Sequence, residues 1–518
     1  MTVRRLAGAA TIVAFFAVAS RLLGLLRDAL MSRTFGASAE TDAFINSLLI
    51  VNSVAAVLLY ALVTVVIPQF QAEREVHGVS SAWRLAWTLT SWVAIGLTAF
   101  AALLVVAPQI GAIPFRFDEE LAREMEPLIR IMAPAVLLQG LSALATALLQ
   151  IHGRFAGPAA IGVAFNAGII GGVLLLSDSI GIEGAAWGVT AGALLQVLLQ
   201  APQFISLMKG VDIAMTLTHP RLTATAALAG PVFAASLLQQ VNNFSDKMFA
   251  ATLEEGRISA LTWANTVGQA PRAIILLPLL TPLFPLMAGL VAEGRRPEVV
   301  AAYRRAAGLI GVLAFPVMAF LVIFAEEISQ LLFGGSKCDA DCVDQIAAPL
   351  VFYGLAVWPG FAGFLNNRLL SAASRTRDVM VSTIVVVTLT IVLDALLIGS
   401  LEQSGLALAS ALALMVNVGV TFAFLRREFP QLSAAAAALQ QARLLLVALI
   451  AGGAVATVYA LSGWDAGDGL PLIGLLAAFG AGGALLYALL LRALAPREFA
   501  EAGRTLRSAA RRRRRTAP

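Results

Sequence analysis

The residues whose types and spacing could do chemistry are charged and polar side chains set inside long apolar runs. Arg21, Gly24 and Asp28 fall at i, i+3 and i+7, one face of a helix, with Arg27 beside them. A cation and a carboxylate share that face, and the glycine allows close approach. Further on, Asp42, Asn46 and Ser53 share a face at i, i+4 and i+11. A longer stripe follows at Ser236, Gln239, Asn243 and Asp246, flanked by Asn242 and Lys247, and another at Thr262, Asn265, Gln269 and Arg272, with Pro271 able to disturb the helix. A charge at membrane depth costs about 2.5–3.5 kcal/mol on insertion scales, so such residues face a cavity or a partner and carry function. Arg27, Asp28 and Asp42 would alternatively sit at the interface and snorkel to water. Interhelical hydrogen bonding, worth about 0.6–2 kcal/mol per contact, would account for Asn243 or Asn265 singly. Two successive four-residue stripes that end in charges point instead to a shared water-filled cavity.

The elements that must position these residues are membrane spans. Of 518 residues 59% are hydrophobic and 13% charged, against about 25% charged in a soluble domain. Windows of about 19 residues place spans at 6–27, 40–69, 84–111, 127–151, 157–177, 181–208, 222–251, 258–291, 303–333, 346–372, 378–399, 403–425, 441–463 and 470–494. The pairs at 157–208 and 378–425 are the least securely divided. A lipid-facing barrel would alternate apolar and polar residues, whereas Ile274 to Leu280 and Leu444 to Val458 are apolar on almost every face. The expected fold is an all-α polytopic membrane protein with about fourteen transmembrane helices.

Loop charges orient it. Arg74 and Arg84, Arg154, Lys209 and Arg221, Arg295 and Arg296, Arg375 and Arg377, and Arg426 and Arg427 fall on alternate connections, with Arg4 and Arg5 on the same side. The other connections carry mostly acids, from Asp118, Glu119 and Glu120 to Asp465 and Asp468. Basic loops stay cytoplasmic, so both termini are expected inside the plasma (inner) membrane. Arg4 and Arg5 before an apolar run imitate a signal peptide, but the apolar sequence resumes through Leu22 to Leu26, which favours a retained span. Of the net charge of +5, the segment 496–518 supplies more than all, with eight Arg against two Glu. The excess of base therefore belongs to a tail and not to a nucleic-acid-binding core; Arg511–Arg515 would meet anionic headgroups or a cytoplasmic partner.

Enzyme signatures are missing. His77, His152 and His219 lie in expected cytoplasmic loops without metal-pair spacing, and neither a phosphate-binding glycine loop nor a nucleophile elbow occurs. Neither cofactor nor metal is expected. The acidic stretch Phe117 to Pro127 could host sparse glycosyltransferase chemistry but reads more simply as a solvated face. Cys338 and Cys342 share an expected outside loop, where either a small disulfide or a pair of surface thiols fits.

The stretch Ala19-Ser-Arg-Leu-Leu-Gly-Leu-Leu-Arg-Asp28, followed by Phe35-Gly-Ala and Thr41-Asp-Ala-Phe44, resembles the start of the MurJ (MviN) lipid II flippases, within the multidrug, oligosaccharidyl-lipid and polysaccharide exporter superfamily. Gln240-Val-Asn-Asn with Asp246, then Leu253-Glu-Glu-Gly-Arg-Ile-Ser-Ala-Leu261 and Trp263-Ala-Asn265, is similar to that family's seventh and eighth helices. The resemblance implies two six-helix lobes, 1–212 and 213–432, an accessory helix pair 433–495 forming a groove for a lipid tail, and the basic tail 496–518. It also implies a central cationic cavity in which guanidinium forks would hold a pyrophosphate. Arg21, Arg27, Asp28 and Asp42 match the family's first lobe.

Departures accompany the match. Where the family's second helix has an Arg pair and then an acidic, glycine-containing segment, this chain reads Ala55-Ala56-Val57 and Tyr60-Ala61-Leu62, and where the eighth supplies Arg and Glu it reads Thr266 and Gln269. Arg272 and Lys247 are the candidates to restore the charge. The expectation is a flippase of polyprenyl-pyrophosphate-linked glycan, most simply lipid II for peptidoglycan synthesis, working by alternating access. Arg21, Arg27, Lys247 and Arg272 would contact phosphate. Asp28, Asp42 and Asp246 would orient them or couple to an ion, and Asn243, Asn265 and Gln269 would bind sugar or peptide. Cell-wall synthesis proteins are candidate partners. The alternatives are an exporter of another lipid-linked polysaccharide or of drugs, and a non-transporting scaffold of cell-wall synthesis.

Overall fold

The computed structural model describes residues 3–115, 118–208, 216–276, 283–463 and 469–504. Side chains before Ile12 and several in 231–243, Asn243 among them, lie outside the described set, as do Arg511–Arg515. The described backbone is almost wholly helical and divides into two compact units, residues 1–259 with Gly335–Cys338, and the remainder.

The first unit contains α1 (Val3–Phe35), α2 (Ala39–His77), α3 (Val79–Val106), α4 (Glu119–Ile151), α5 (Ala156–Ile180), α6 (Glu183–Met208) and α7 (Leu222–Ala250). Local chemistry sets their ends. Ser38 caps α2 through a hydrogen bond from the Thr41 amide, and Asp118 caps α4 by accepting from the amides of Glu120 and Leu121, both at 3.0 Å. Gly36 turns the chain between α1 and α2 at φ +71°, where a β-carbon would come within 2.3 Å of the Lys337 carbonyl. Helices α5 and α6 pack backbone to backbone along a glycine seam: a β-carbon on Gly168 would sit 2.2 Å from Cα of Gly192, and one on Gly172 2.3 Å from the Gly184 carbonyl. Small residues let membrane helices approach this closely, and dispersion then holds them. Helix α4 packs against α2, α3 and α6, and α1 lies on α5. The division between α5 and α6 falls at Gly181, where the sequence places it.

The second unit begins inside α8 (Arg257–Pro271), which passes into a π-helical turn at Arg272–Leu276. It continues with α9 (Leu283–Ala292), α10 (Arg296–Ile323), α11 (Ala325–Phe333), α12 (Ala340–Leu355), α13 (Val357–Ala372), α14 (Thr376–Glu428), α15 (Ala434–Ser462) and α16 (Leu470–Leu494). Helix α14 is two arms joined at Glu402, whose φ of 49° and ψ of −134° break the helix between the expected spans 378–399 and 403–425. The expected single span 303–333 is divided instead: the chain breaks at Phe324, and α11 is a separate nine-residue helix. Helices α12 and α13 meet at a 42° bend. Helix α15 is pinned to α10 and α13 by Gln441, which accepts from the Trp358 indole at 3.0 Å and donates to the Ala307 carbonyl at 3.2 Å. An apolar cluster of Leu309, Phe315, Leu444, Val447, Tyr487 and Leu491 runs along the same seam. It extends to Ala502, in the helical stretch 496–504 that opens the basic tail.

Among the described residues nine helices are long and apolar enough to cross a membrane, or ten when the bent pair counts as one span. The expected fourteen is not reached by that count, although α14 enters it once while consisting of two arms. Both cysteines are disulfide-bonded, so of the two readings the sequence allows, the thiol pair is excluded.

Candidate functional site

Seven of the candidate residues fall in the first unit, six of them with described side chains. Arg27 and Asp28 are sequence neighbours near the end of α1, and the guanidinium grips its neighbour's carboxylate with two donors, Nε at 2.9 Å and Nη2 at 2.7 Å from Oδ1. Its third nitrogen, Nη1, donates to Oδ1 of Asn166 on α5 at 3.2 Å. The Asn166 amide nitrogen in turn donates to the carbonyls of Ser20 at 3.2 Å and Gly162 at 2.9 Å, so the side chain that steadies Arg27 is itself fixed. Asp28 is 4% exposed, and its Oδ2 is buried without accepting a hydrogen bond. Lys247 of α7 lies in the electrostatic field of Asp246, Asp42 and Asp28, and its ammonium donates to the Ile258 carbonyl at 3.4 Å. Arg21 stands exposed two turns before Asp28. The unit thus collects cations and carboxylates around the end of α1 and the end of α7.

Asp42 has a more definite task than the wet face implied by its spacing. Its carboxylate accepts from the Gly256 amide at 2.8 Å and the Ser259 amide at 2.7 Å, and so caps the N-terminus of α8 from the first turn of α2. A carboxylate there satisfies orphan N–H groups and meets the positive end of the helix dipole. Gly256 holds φ +82° with a notional β-carbon 2.5 Å from the Ala37 carbonyl, so the turn accepts only glycine. Asp42 is 3% exposed and therefore positions a helix, with its oxygens committed to backbone. A small acidic cleft adjoins it, lined by Asp118, Glu120, Glu254 and Glu255. One turn along α2, Asn46 has no exposed surface, and neither its amide oxygen nor its nitrogen has a hydrogen-bond partner.

The remaining candidates with described side chains lie in the second unit. Gln269 donates to Oδ1 of Asn265 at 2.8 Å, while Thr266 bonds back to the Thr262 carbonyl at 3.0 Å. The α8 stripe therefore satisfies part of its polarity internally. Arg272 opens the π-helical turn and places its guanidinium carbon 5.3 Å from the Phe364 ring centroid. On α7, Ser236 bonds back to the Val232 carbonyl at 2.8 Å; the Asn243 side chain lies outside the described set.

Four features were missed by the sequence reading. Asn166 and Asp394 are polar groups inside expected spans, a signal that marks intramembrane function by default; Asp394, on α14, has no exposed surface. Arg368 sits on α13 with its guanidinium carbon 4.8 Å from the same Phe364 ring. The fourth is Glu73 at the end of α2, 2% exposed, which accepts from Ser81 at 2.6 Å and pairs with His77 at 3.1 Å and Arg221 at 2.8 Å, with His219 at 3.8 Å. Thr88 with Thr216 at 2.9 Å, and Trp92 donating to the Leu217 carbonyl at 2.9 Å, clasp the same chain segment before α7. Burial pushes the His219 imidazole below its ordinary 6.5, with Arg84 and His77 adding to the effect and the Glu73 carboxylate opposing it.

Residues 31–473 match the sequence profile of the family described as lipid II flippase MurJ. The match starts after Asp28 and so does not extend to Arg21, Arg27 or Asp28. The lipid II flippase MurJ of Burkholderia cenocepacia is 26% identical over 376 residues, covering 69% of this chain and 71% of that protein. A probable lipid II flippase MurJ of Rhizobium meliloti is 26% identical over 432 residues, 78% of each. Among solved structures, a lipid II flippase MurJ in an inward closed conformation superposes with a TM-score of 0.78 at 18% identity, over 93% of this chain and 99% of that one. An inward-facing multidrug resistance MATE transporter gives 0.64 at 14% identity, over 83% and 95%. With the helical fold, the charged end of α1 and a match over most of its length, the chain belongs to the MurJ lipid II flippase family.

Proposed function

We propose that this protein moves lipid II, a polyprenyl-pyrophosphate-linked glycan, from the inner to the outer leaflet of the plasma membrane for peptidoglycan synthesis. Family membership over 31–473 is the observation that carries the reading. The MATE-type neighbours share the fold alone, and a cavity rich in guanidinium would repel the hydrophobic cations that drug exporters carry.

In this reading the diphosphate is drawn to Arg21, Arg27, Lys247 and Arg272. Arg27 suits the task because Asp28 and Asn166 fix its plane while part of its N–H fork is left over for a phosphate. Asp28 and Asp246 hold the cations or couple to an ion, Asp42 sets the start of α8, and Asn243, Asn265 and Gln269 meet the sugar and peptide. Lobes at 1–212 and 213–432 alternate in access, the pair 433–495 guides the tail, and both termini face the cytoplasm, where Arg511–Arg515 meet anionic lipid. An ion gradient or the membrane potential supplies the drive, worth about 2.3 kcal/mol per charge per 100 mV.

The test depletes the protein in cells lacking any other lipid II flippase and measures how much lipid II is accessible from outside. Exposure should fall, and Arg27→Ala should not restore it. Unchanged exposure on depletion overturns the reading.

A further inference from the structure

Four residues from the second half of the chain, Gly335–Cys338, belong to the first unit. They are the tip of the strap that joins α11 to α12. The Gly335 amide donates to the Cys338 carbonyl at 3.0 Å and the Cys338 amide donates back to the Gly335 carbonyl at 3.2 Å, closing a tight hairpin over Ser336 and Lys337. This tip lies on the turn between α1 and α2. The Lys337 carbonyl covers Gly36, which is buried, and Gly335 rests against the stem of Arg33: a β-carbon on Gly335 would stand 3.5 Å from the Arg33 Cβ. The loop-charge pattern assigns both connections to the outer face.

The strap is rooted in the second unit on both sides. Before it, Phe333 ends α11 and stacks on Trp263 of α8, ring centroids 5.6 Å apart and 13° from parallel, both rings fully buried. After it, Asp339 caps α12 by accepting from the Cys342 amide at 3.1 Å, and the disulfide ties Cys338 to Cys342 in the first turn of that helix. One residue, Gly334, separates the α11 root from the tip, and one, Asp339, separates the tip from α12. A residue spans at most about 3.6 Å, and Asp339 is held by its cap, so the strap has almost no slack. The hairpin bonds and the disulfide keep the tip itself from paying out chain. Gly335, Ser336 and Lys337 are exposed, so lifting the tip uncovers little apolar surface.

We propose that Gly335–Cys338 is an outer latch, stapled to α12 by Cys338–Cys342, that must lift off the α1–α2 turn for substrate to leave toward the outer leaflet. It rests on the flippase reading above and adds to it a step that gates release. A displacement of α12 from the turn by more than a few ångströms exceeds what one residue on each side can span, so the tip lifts as a piece. Segments that open and close in a working cycle are held by contacts of this small, exposed kind. The disulfide makes the latch stiff: without it the tip could stay on the turn while α12 moved.

The test uses the full chain with Cys338→Ala and Cys342→Ala, to which Arg33→Cys and Gly335→Cys are added. Their Cβ spacing matches the 3.5–4.5 Å or so of a disulfide. Copper phenanthroline should couple the two thiols in cells lacking another lipid II flippase. Coupling should lower outside exposure of lipid II to the level seen on depletion, and a reductant should restore it, while each single-cysteine variant responds to neither treatment. Recovery on reduction separates a held latch from a misfolded protein. In the purified chain, Cys338→Ala with Cys342→Ala should speed amide exchange at Gly335 and Cys338 by about tenfold or more, with no change in α5. Thiols that fail to couple, exposure equal in the coupled and reduced forms, or unchanged exchange without the native pair overturns the latch and leaves the flippase reading standing. Absence of lipid II exposure even with the wild-type chain would overturn both.

Discussion

At the scale of single residues, the first unit separates side chains that hold charge from side chains that hold position. Arg27 is steadied from two directions, by its neighbour Asp28 and by Asn166 on another helix. Asn166→Ala removes a hydrogen bond to a charged donor, worth about 1.5–3 kcal/mol, and should reduce lipid II exposure at least several-fold while protein level is unchanged; wild-type exposure would show that Arg27 needs no such support. Asn46 poses the converse question. A buried amide without partners costs about 1–3 kcal/mol, so Asn46→Leu should raise the thermal midpoint in detergent. If it lowers the midpoint instead, a water or ion held at that amide outweighs the cost. The pairing of Arg27 with Asp28 was legible in the sequence from adjacency alone. The role of Asn166, 139 residues away, was not, because only the packing of α1 on α5 brings it near. Asp42 was legible as important and misread in kind: its partners are backbone amides, which leave no trace in residue types.

At the scale of elements, two junctions tie helix ends to neighbouring segments. The first is the cap that Asp42 supplies to α8. Asp42→Ala leaves two buried amides unsatisfied and should cost about 2 kcal/mol of stability, read as a lower unfolding temperature; Asp42→Asn, which keeps one acceptor, should cost less. An unchanged midpoint in Asp42→Ala would remove the cap from the account. The second is the clasp at Glu73. His219 is held below its ordinary 6.5, so the unfastened state binds more protons between the two values. The clasp should therefore be strongest above about pH 6.5 and weaken as pH falls through the lowered value. Amide exchange in 216–221, corrected for intrinsic rates, should speed up on acidification, and His219→Gln should flatten that dependence. Exchange that slows on acidification would show the Glu73 carboxylate winning over burial.

At the scale of the whole molecule, span boundaries were legible wherever a polar or glycine residue interrupts the apolar run, as at Gly181 and Glu402. They were not legible at Phe324, where hydrophobic sequence continues across a break that only packing creates. Orientation remains a matter of loop charge and is directly checkable. In a background without the native cysteines, Ala517→Cys should react with an impermeant thiol reagent only after the cells are opened, and Asp178→Cys should react in intact cells. The reverse pattern would invert the topology. The glycine seam of α5 and α6 leaves less than a side chain's thickness between two backbones, so these helices cannot slide, twist or part without opening a void that neither water nor lipid fills cheaply. They behave as one plank. Any change of shape in the first unit has to be made by the other helices swinging against it, and a single bulky residue at Gly168 should jam the assembly before it jams the motion.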